Sequence, residues 1–227
     1  MRSAVASRTV EISIDRVSLE GDLAIPDGAR GVVLFAHGSG SSRHSSRNRF
    51  VAEELRRGGL GTLLLDLLTP EEEQIDMRTG QLRFDIALLA DRLIGTIRWL
   101  DGQEEMRVLP VGLFGASTGG GAALVAAARR ADRVDAVVSR GGRPDLADEE
   151  LPRVRAPTLL IVGGNDPVVI ELNKRAMRRM VAEVELVIIP RATHLFEEPG
   201  ALEQVSVLAR NWFVQHLGVH AVTQPPR

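Results

Sequence analysis

The chain has 227 residues, of which 44% are hydrophobic and 26% charged, with a formal net charge of −2; a chain this long buries a full core without disulfides or metals, and its evenly mixed charges exclude the basic stripe of a nucleic-acid binder and the acidic block of a disordered tail. It contains no cysteine, which excludes a disulfide framework, a thiolate zinc site and a cysteine nucleophile. Residues 1–11 carry no apolar core of signal-peptide length, so the expected organisation is one domain over 1–227, frayed at 1–8 and 223–227, in the cytoplasm.

In chain order, residues 9–14 alternate, with Val10, Ile12 and Ile14 on one face, and 17–25 follow before the turn signal Pro26-Asp27-Gly28. The pair reads as an antiparallel hairpin at a sheet edge. Beyond it, short continuous apolar runs alternate with helical patterns. The run 32–36 precedes a helix over 46–57 that stops at Gly58-Gly59. The run 61–67 precedes the stretch 68–82, where Thr69 and Glu72 form a capping box and the acids at 71–73 read as a solvated first turn rather than a metal site. A helix over 84–100 places Ile86, Leu89, Leu93, Ile97 and Leu100 at helical spacing.

Residues 109–128 carry no charge, but Pro110, five glycines, Ser117 and Thr118 interrupt them. A membrane span needs about 20 mostly apolar, helix-compatible residues, so this stretch reads instead as a strand, a tight turn and a small-residue helix over 118–130. Runs at 134–139, 158–162 and 184–189 alternate with helices over 168–180 and 199–217, the last with Pro199 in its first turn. Trp99 and Trp212 fall at core positions of helices, and Arg175, Arg178 and Arg179 on a solvated face. Continuous rather than alternating hydrophobicity marks strands covered on both faces. The expected fold is therefore α/β, an eight-stranded, mostly parallel sheet flanked by helices. The connection 141–155 is too short for a cap domain. Ligands of such sheets bind beyond the carboxyl ends of the strands.

The sharpest motif sits at such an end. Gly115-Ala116-Ser117-Thr118-Gly119 lies between an apolar run and a helix, the context of a nucleophile elbow. The tight turn strains the serine and requires glycine two residues to either side. A serine hydroxyl needs a base, and the base a carboxylate to orient it. His194 follows the last strand and is the candidate base; His216 and His220, in or beyond the last helix, read as surface residues. Asp166 follows the preceding strand and is the candidate acid, with a plain helix N-cap as its other reading and Asp145 as the fallback acid. The chain order Ser117, Asp166, His194 matches that motif. The backbone N–H groups of Ser39 and Thr118 are the candidate oxyanion hole, with His37 expected to brace the loop carrying Ser39. Arg43, Arg47 and Arg140 are candidates for holding an anionic substrate group, against the alternative of local ion pairs.

Together these motifs resemble the α/β-hydrolase superfamily, and most closely its dienelactone-hydrolase-like members, over residues 32–217. The resemblance implies the eight-stranded fold, a covalent acyl-enzyme and no cofactor. Dienelactone hydrolases proper use a cysteine nucleophile, so Ser117 shifts the expected chemistry toward hydrolysis of a carboxylic ester or thioester of a small molecule. Neither nucleic acid, membrane nor metal is an expected partner, and a homodimer is left open. An acyltransferase or perhydrolase, a short-peptide serine peptidase, and a non-catalytic binding module are the alternatives.

Overall fold

The computed structural model describes residues 7–218. Eight strands make one sheet: β1 (Arg8–Ile14), β2 (Val17–Ala24), β3 (Val32–Ala36), β4 (Gly61–Leu65), β5 (Val111–Ala116), β6 (Val134–Arg140), β7 (Thr158–Gly163) and β8 (Val184–Ile189), in the spatial order β1-β2-β4-β3-β5-β6-β7-β8. The β1–β2 hairpin is antiparallel and joins β4 antiparallel. The pairs from β4 to β8 are parallel. Six helices connect them: α1 (Ser46–Arg57), α2 (Pro70–Thr79), α3 (Ile86–Asp101), α4 (Thr118–Arg129), α5 (Pro167–Met177) and α6 (Ala201–His216).

Strand alternation sorts the core into two layers. Val32, Leu34, Val111 and Leu113 face α3 and α4, whereas Val33, Phe35 and Phe114 face α1 and α6. Phe35 and Phe114 meet with ring centroids 4.9 Å apart, a contact worth roughly 0.5–1.5 kcal/mol beyond its buried area. Truncating a side chain as enclosed as Leu34 to alanine would cost about 2–5 kcal/mol, because the close-packed layer only partly collapses onto the hole. The β6–β7 connection is a run of 3₁₀ turns, Pro144–Arg153, and among the described residues no cap domain covers the carboxyl ends of the strands.

Several boundaries differ from the sequence expectation, each for a local reason. β1 starts at Arg8, because Arg8 pairs with Leu23; the rest of the expected fraying, at 1–6 and 223–227, lies outside the described residues, as does His220. β4 ends at Leu65, and the apolar Leu67 and Leu68 line a cleft instead. A 3₁₀ turn, Leu82–Phe84, precedes α3, whose N-cap is Asp85 accepting from the Leu88 N–H. α5 stops at Met177, short of Met180. α6 begins at Ala201 behind a left-handed Gly200 (φ 81°), so Pro199 lies outside the helix rather than in its first turn. β8 is the edge strand and is only partly covered, with Ile188 40% exposed, so its apolar run overstates its burial.

Candidate active site

The turn after β5 is built by exclusion. Ser117 sits at φ 52°, ψ −121°, a conformation that costs a non-glycine residue on the order of 1–3 kcal/mol. The flanking glycines make it possible. A Cβ on Gly115 would come within 2.5 Å of the Gly119 oxygen and the Gly120 Cα. A Cβ on Gly119 would run into the carbonyl of Ala36 and lie 2.6 Å from that of His37. Gly119 is thus required by the neighbouring loop after β3, a contact between turns that spacing alone does not reveal. The Ser117 N–H donates to the Arg140 carbonyl at 3.2 Å, which pins the turn to β6.

The three side chains named from the motif order meet above this turn. The Ser117 hydroxyl lies 3.3 Å from His194 Nε2. His194 Nδ1 lies 2.7 Å from Asp166 Oδ2. A carboxylate only accepts, so Nδ1 carries the proton and Nε2 is left to accept from the serine. Asp166 makes two contacts at once: Oδ2 lies against the imidazole, while Oδ1 accepts from the Val169 N–H at 3.4 Å and caps α5. Gly163 lets the two loops touch, since a Cβ there would lie 2.6 Å from the Thr193 carbonyl. Glu198 accepts from the Thr193 N–H at 3.0 Å and ties down the histidine loop; that bond holds its carboxyl below the usual carboxylate range. Asp145 is bonded twice to Arg143, at 2.8 and 2.7 Å, and makes no bond to His194.

The loop after β3 carries Ser39. Among the described residues, neither the Ser39 N–H nor that of Thr118, the first residue of α4, is used in an internal hydrogen bond. Both border a cleft of about 470 Å³ that runs between residues 37–45 and α2, with Leu67, Leu68, Met77 and Leu89 as its apolar lining and Glu73 and His44 among its polar groups. His37 braces the loop. Its Nδ1 lies 2.9 Å from the Gly38 carbonyl and its Nε2 accepts from the Leu67 N–H at 3.1 Å. A carbonyl only accepts and an N–H only donates, so this imidazole is neutral with the proton on Nδ1. Burial pushes it below its ordinary range, against the pull of the Gly38 bond and Asp66.

The acidic start of α2 is less solvated than its sequence suggests. The capping box forms as expected, but Glu72 also binds the buried Arg92 at 2.6 Å. Glu73 turns to the cleft, where burial and then the charge of Asp66 raise its carboxyl above the usual range. Among the described residues no three or more His, Asp or Glu side chains are grouped to hold a metal ion, and no helix is long and apolar enough to cross a membrane.

The three arginines have different fates. Arg43 is withdrawn from the cleft by a carboxylate cluster, pairing with Asp66, with Glu20 at 2.5 Å and with Asp22 at 3.6 Å; a substrate would have to displace all three. Arg47 bridges from α1 to Glu197 on the histidine loop at 3.2 Å. Arg140 is buried at the end of β6 against the ring of Phe196, with its guanidinium carbon 5.8 Å from the ring centroid.

The profile of the dienelactone hydrolase family matches residues 19–212. A crystal structure of a dienelactone hydrolase from Anabaena variabilis superposes with a TM-score of 0.93 at 60% identity, covering 94% of this chain and 99% of that one. Proteins from two strains of Mycobacterium tuberculosis, provisionally named phosphoribosyl transferases, are 59% identical over 208 residues, which is 92% of this chain and 46% of theirs. The chain thus spans about half the length of these curated relatives. A Bradyrhizobium protein named as a 2-oxo-3-(5-oxofuran-2-ylidene)propanoate lactonase is 29% identical over 166 residues, covering 65% of this chain and 66% of that protein.

Proposed function

This chain belongs to the dienelactone hydrolase family, and from that premise we propose that it is a serine hydrolase that cleaves a carboxylic ester or thioester of a small molecule through an acyl-enzyme. The observation that carries the reading is the continuous relay from the strained Ser117 hydroxyl through His194 to Asp166.

In the proposed cycle, His194 Nε2 takes the hydroxyl proton as Ser117 Oγ attacks the carbonyl carbon. The carbonyl oxygen gains charge and is held by the N–H groups of Ser39 and Thr118, the latter at the positive end of α4. The tetrahedral species collapses, the ester bond breaks, and the leaving alcohol or thiol departs with the proton from the histidine. Water, activated by the same imidazole, then attacks the acyl-serine and releases the acid. The cleft beside Thr118 takes the bulk of the substrate.

The lactonase named among the relatives is consistent with this chemistry, since a lactone is a cyclic ester. The phosphoribosyl transferase name belongs to proteins about twice this length; in this reading it describes the portion that the chain does not span. The test is labelling with a fluorophosphonate probe, followed by a panel of short acyl esters. Wild type is expected to label at Ser117 and turn over, and Ser117→Ala to do neither. A protein that neither labels nor hydrolyses any ester would return the fold to the role of a binding module, and full activity in Ser117→Ala would remove the assignment.

A further inference from the structure

Arg140 differs from the arginines around it. Arg43, Arg83, Arg143 and Arg47 each face a carboxylate within ion-pair distance. Arg140 is 7% exposed, and among the described residues its guanidinium meets no carboxylate and no hydrogen-bond acceptor. Its Nε and Nη1 are both buried without a partner. The charged neighbour acting on it is a second cation, Arg47; burial and then that like charge push it down to about 10, which still leaves it charged at neutral pH. Phe196 covers one flat face of the guanidinium but leaves Nε and Nη1, on different edges of the fork, each without an acceptor; an oxyanion satisfies such donors with charge-assisted bonds.

Two more unpartnered polar groups lie on the same side of the sheet. Along β6, Ala136 and Val138 point into the layer beneath α1 and α6, and Arg140 continues that alternation. Asn48 shares the buried face of α1 with Val51, Ala52 and Leu55 and so enters the same layer; its Oδ1 is also buried without a partner. Turned by half a rotation, that carboxamide presents its NH2 as a donor. Arg47, on the same turn of α1, has a buried, unpartnered Nε. It reaches Glu197, the residue next to the Phe196 that covers Arg140. The first turn of α1 holds no acidic residue, and its leading N–H groups add to a positive field.

We propose that Arg140, Arg47 and Asn48 form a binding site for a compact oxyanion, a carboxylate or phosphate group, at the foot of the histidine loop. Arg47, 32% exposed, is the side from which the anion enters, in exchange for Glu197. The site adjoins the chemistry: the Arg140 carbonyl receives the Ser117 N–H, and a Cβ on the following Gly141 would lie 3.4 Å from His194 Nδ1. The anion has two available sources. A carboxylate carried by the ester substrate rests on the hydrolase reading; free inorganic phosphate does not.

The test combines calorimetric titration of inorganic phosphate with kinetics on a matched pair of nitrophenyl esters. One ester is the half-ester of a short dicarboxylic acid, and the other is the same chain with its free carboxylate capped as an amide. Phosphate is expected to bind wild type and Ser117→Ala alike, and to bind Arg140→Met at least about tenfold more weakly, with a smaller loss in Arg47→Met. If the substrate supplies the anion, wild type prefers the half-ester by about tenfold or more in kcat/KM, Arg140→Met loses that preference, and phosphate competes with the half-ester alone. If the anion is free, phosphate changes turnover of both esters equally. Arg140→Lys and Arg47→Met make the same comparison should Arg140→Met fail to fold, with lysine expected to retain only part of the binding. The proposal is overturned if wild type neither binds phosphate at tens of millimolar nor prefers the half-ester. It is equally overturned if binding and preference survive loss of the Arg140 guanidinium. Absence of all ester hydrolysis would sink the hydrolase reading while leaving the phosphate titration to decide the site.

Discussion

The turn around Ser117 and the wall formed by α2 with its 3₁₀ turn border the same cleft, yet they are held by opposite means. The first is backbone against backbone: Gly115 against Gly119 and Gly120, and Gly119 against the carbonyls of Ala36 and His37. The second is clasped by side chains. Its capping box closes one end, Glu72 reaches Arg92, and the buried Asp76 accepts from both the Arg83 backbone N–H at 3.0 Å and its guanidinium at 2.5 Å. Meanwhile Ile75, Met77 and Phe84 on this wall are exposed. The contrast separates two tasks. In the proposed hydrolase, reactive geometry would be set where nothing can be inserted, and substrate shape where polar clasps leave the outer side chains free to vary.

The largest effect that would break this division is at Ser117 itself. Ser117→Ala is expected to lower kcat by at least about 10³-fold on any accepted ester while leaving the melting temperature within a few degrees of wild type; an inactive but unfolded variant would mean that the hydroxyl is structural. Next come the glycines. Gly119→Ala should cost about 2–3 kcal/mol in urea unfolding, because the clash is with backbone that cannot swing away. Gly80→Ala, at the left-handed end of α2 with nothing near its Cβ, should cost only about 1 kcal/mol from its φ of 66°. Equal losses at the two positions would abolish the distinction between turn and wall.

A smaller effect concerns the loop between them. The His37 imidazole is pushed below its ordinary value by burial, so on acidification the unfolded chain takes up its proton first. Stability is therefore unaffected by this group above pH about 6.5 and falls as pH drops below it, by at most about 1.4 kcal/mol for the first unit. Urea unfolding at pH 7.5 and 5.5 measures this, and His37→Gln is expected to flatten that part of the difference. The smallest effect should come from the wall. Burial works to raise the Asp76 carboxyl, but the bonds from Arg83 outweigh it and hold the group below the usual carboxylate range, so the clasp is intact at neutral pH. Asp76→Asn is expected to raise KM by about threefold with little change in kcat, the pattern of lost uniform binding, and to speed proteolysis within 69–84.

The same contrast explains what could be read in advance. The strained turn around Ser117 was legible because its requirements are local: an apolar run, two glycines at fixed offsets and a small-residue helix. The capping box of α2 was legible for the same reason. The inward turn of Glu73, the pairing of Glu72 with Arg92 twenty residues away, and the capture of Arg43 by Glu20, Asp22 and Asp66 were not. Nor was the partial exposure of β8, since an apolar run does not say whether its strand has a neighbour on each side.

Residue order and spacing alone determined that Ser117, Asp166 and His194 stand beyond the carboxyl ends of three strands of an eight-stranded sheet, β5, β7 and β8, because periodicity and glycine requirements act over a few residues. Only the tertiary structure decided which charges find partners. Arg43, with no acid closer in sequence than Glu53, folds against Glu20 and Asp22 of β2 and Asp66 just after β4, whereas Arg140, only five residues from both Asp135 and Asp145, is enclosed beside Arg47 and Phe196 with its Nε and Nη1 unpartnered. The Coulomb energy and desolvation of an ion depend on distances through space, and those exist only once distant segments have packed together.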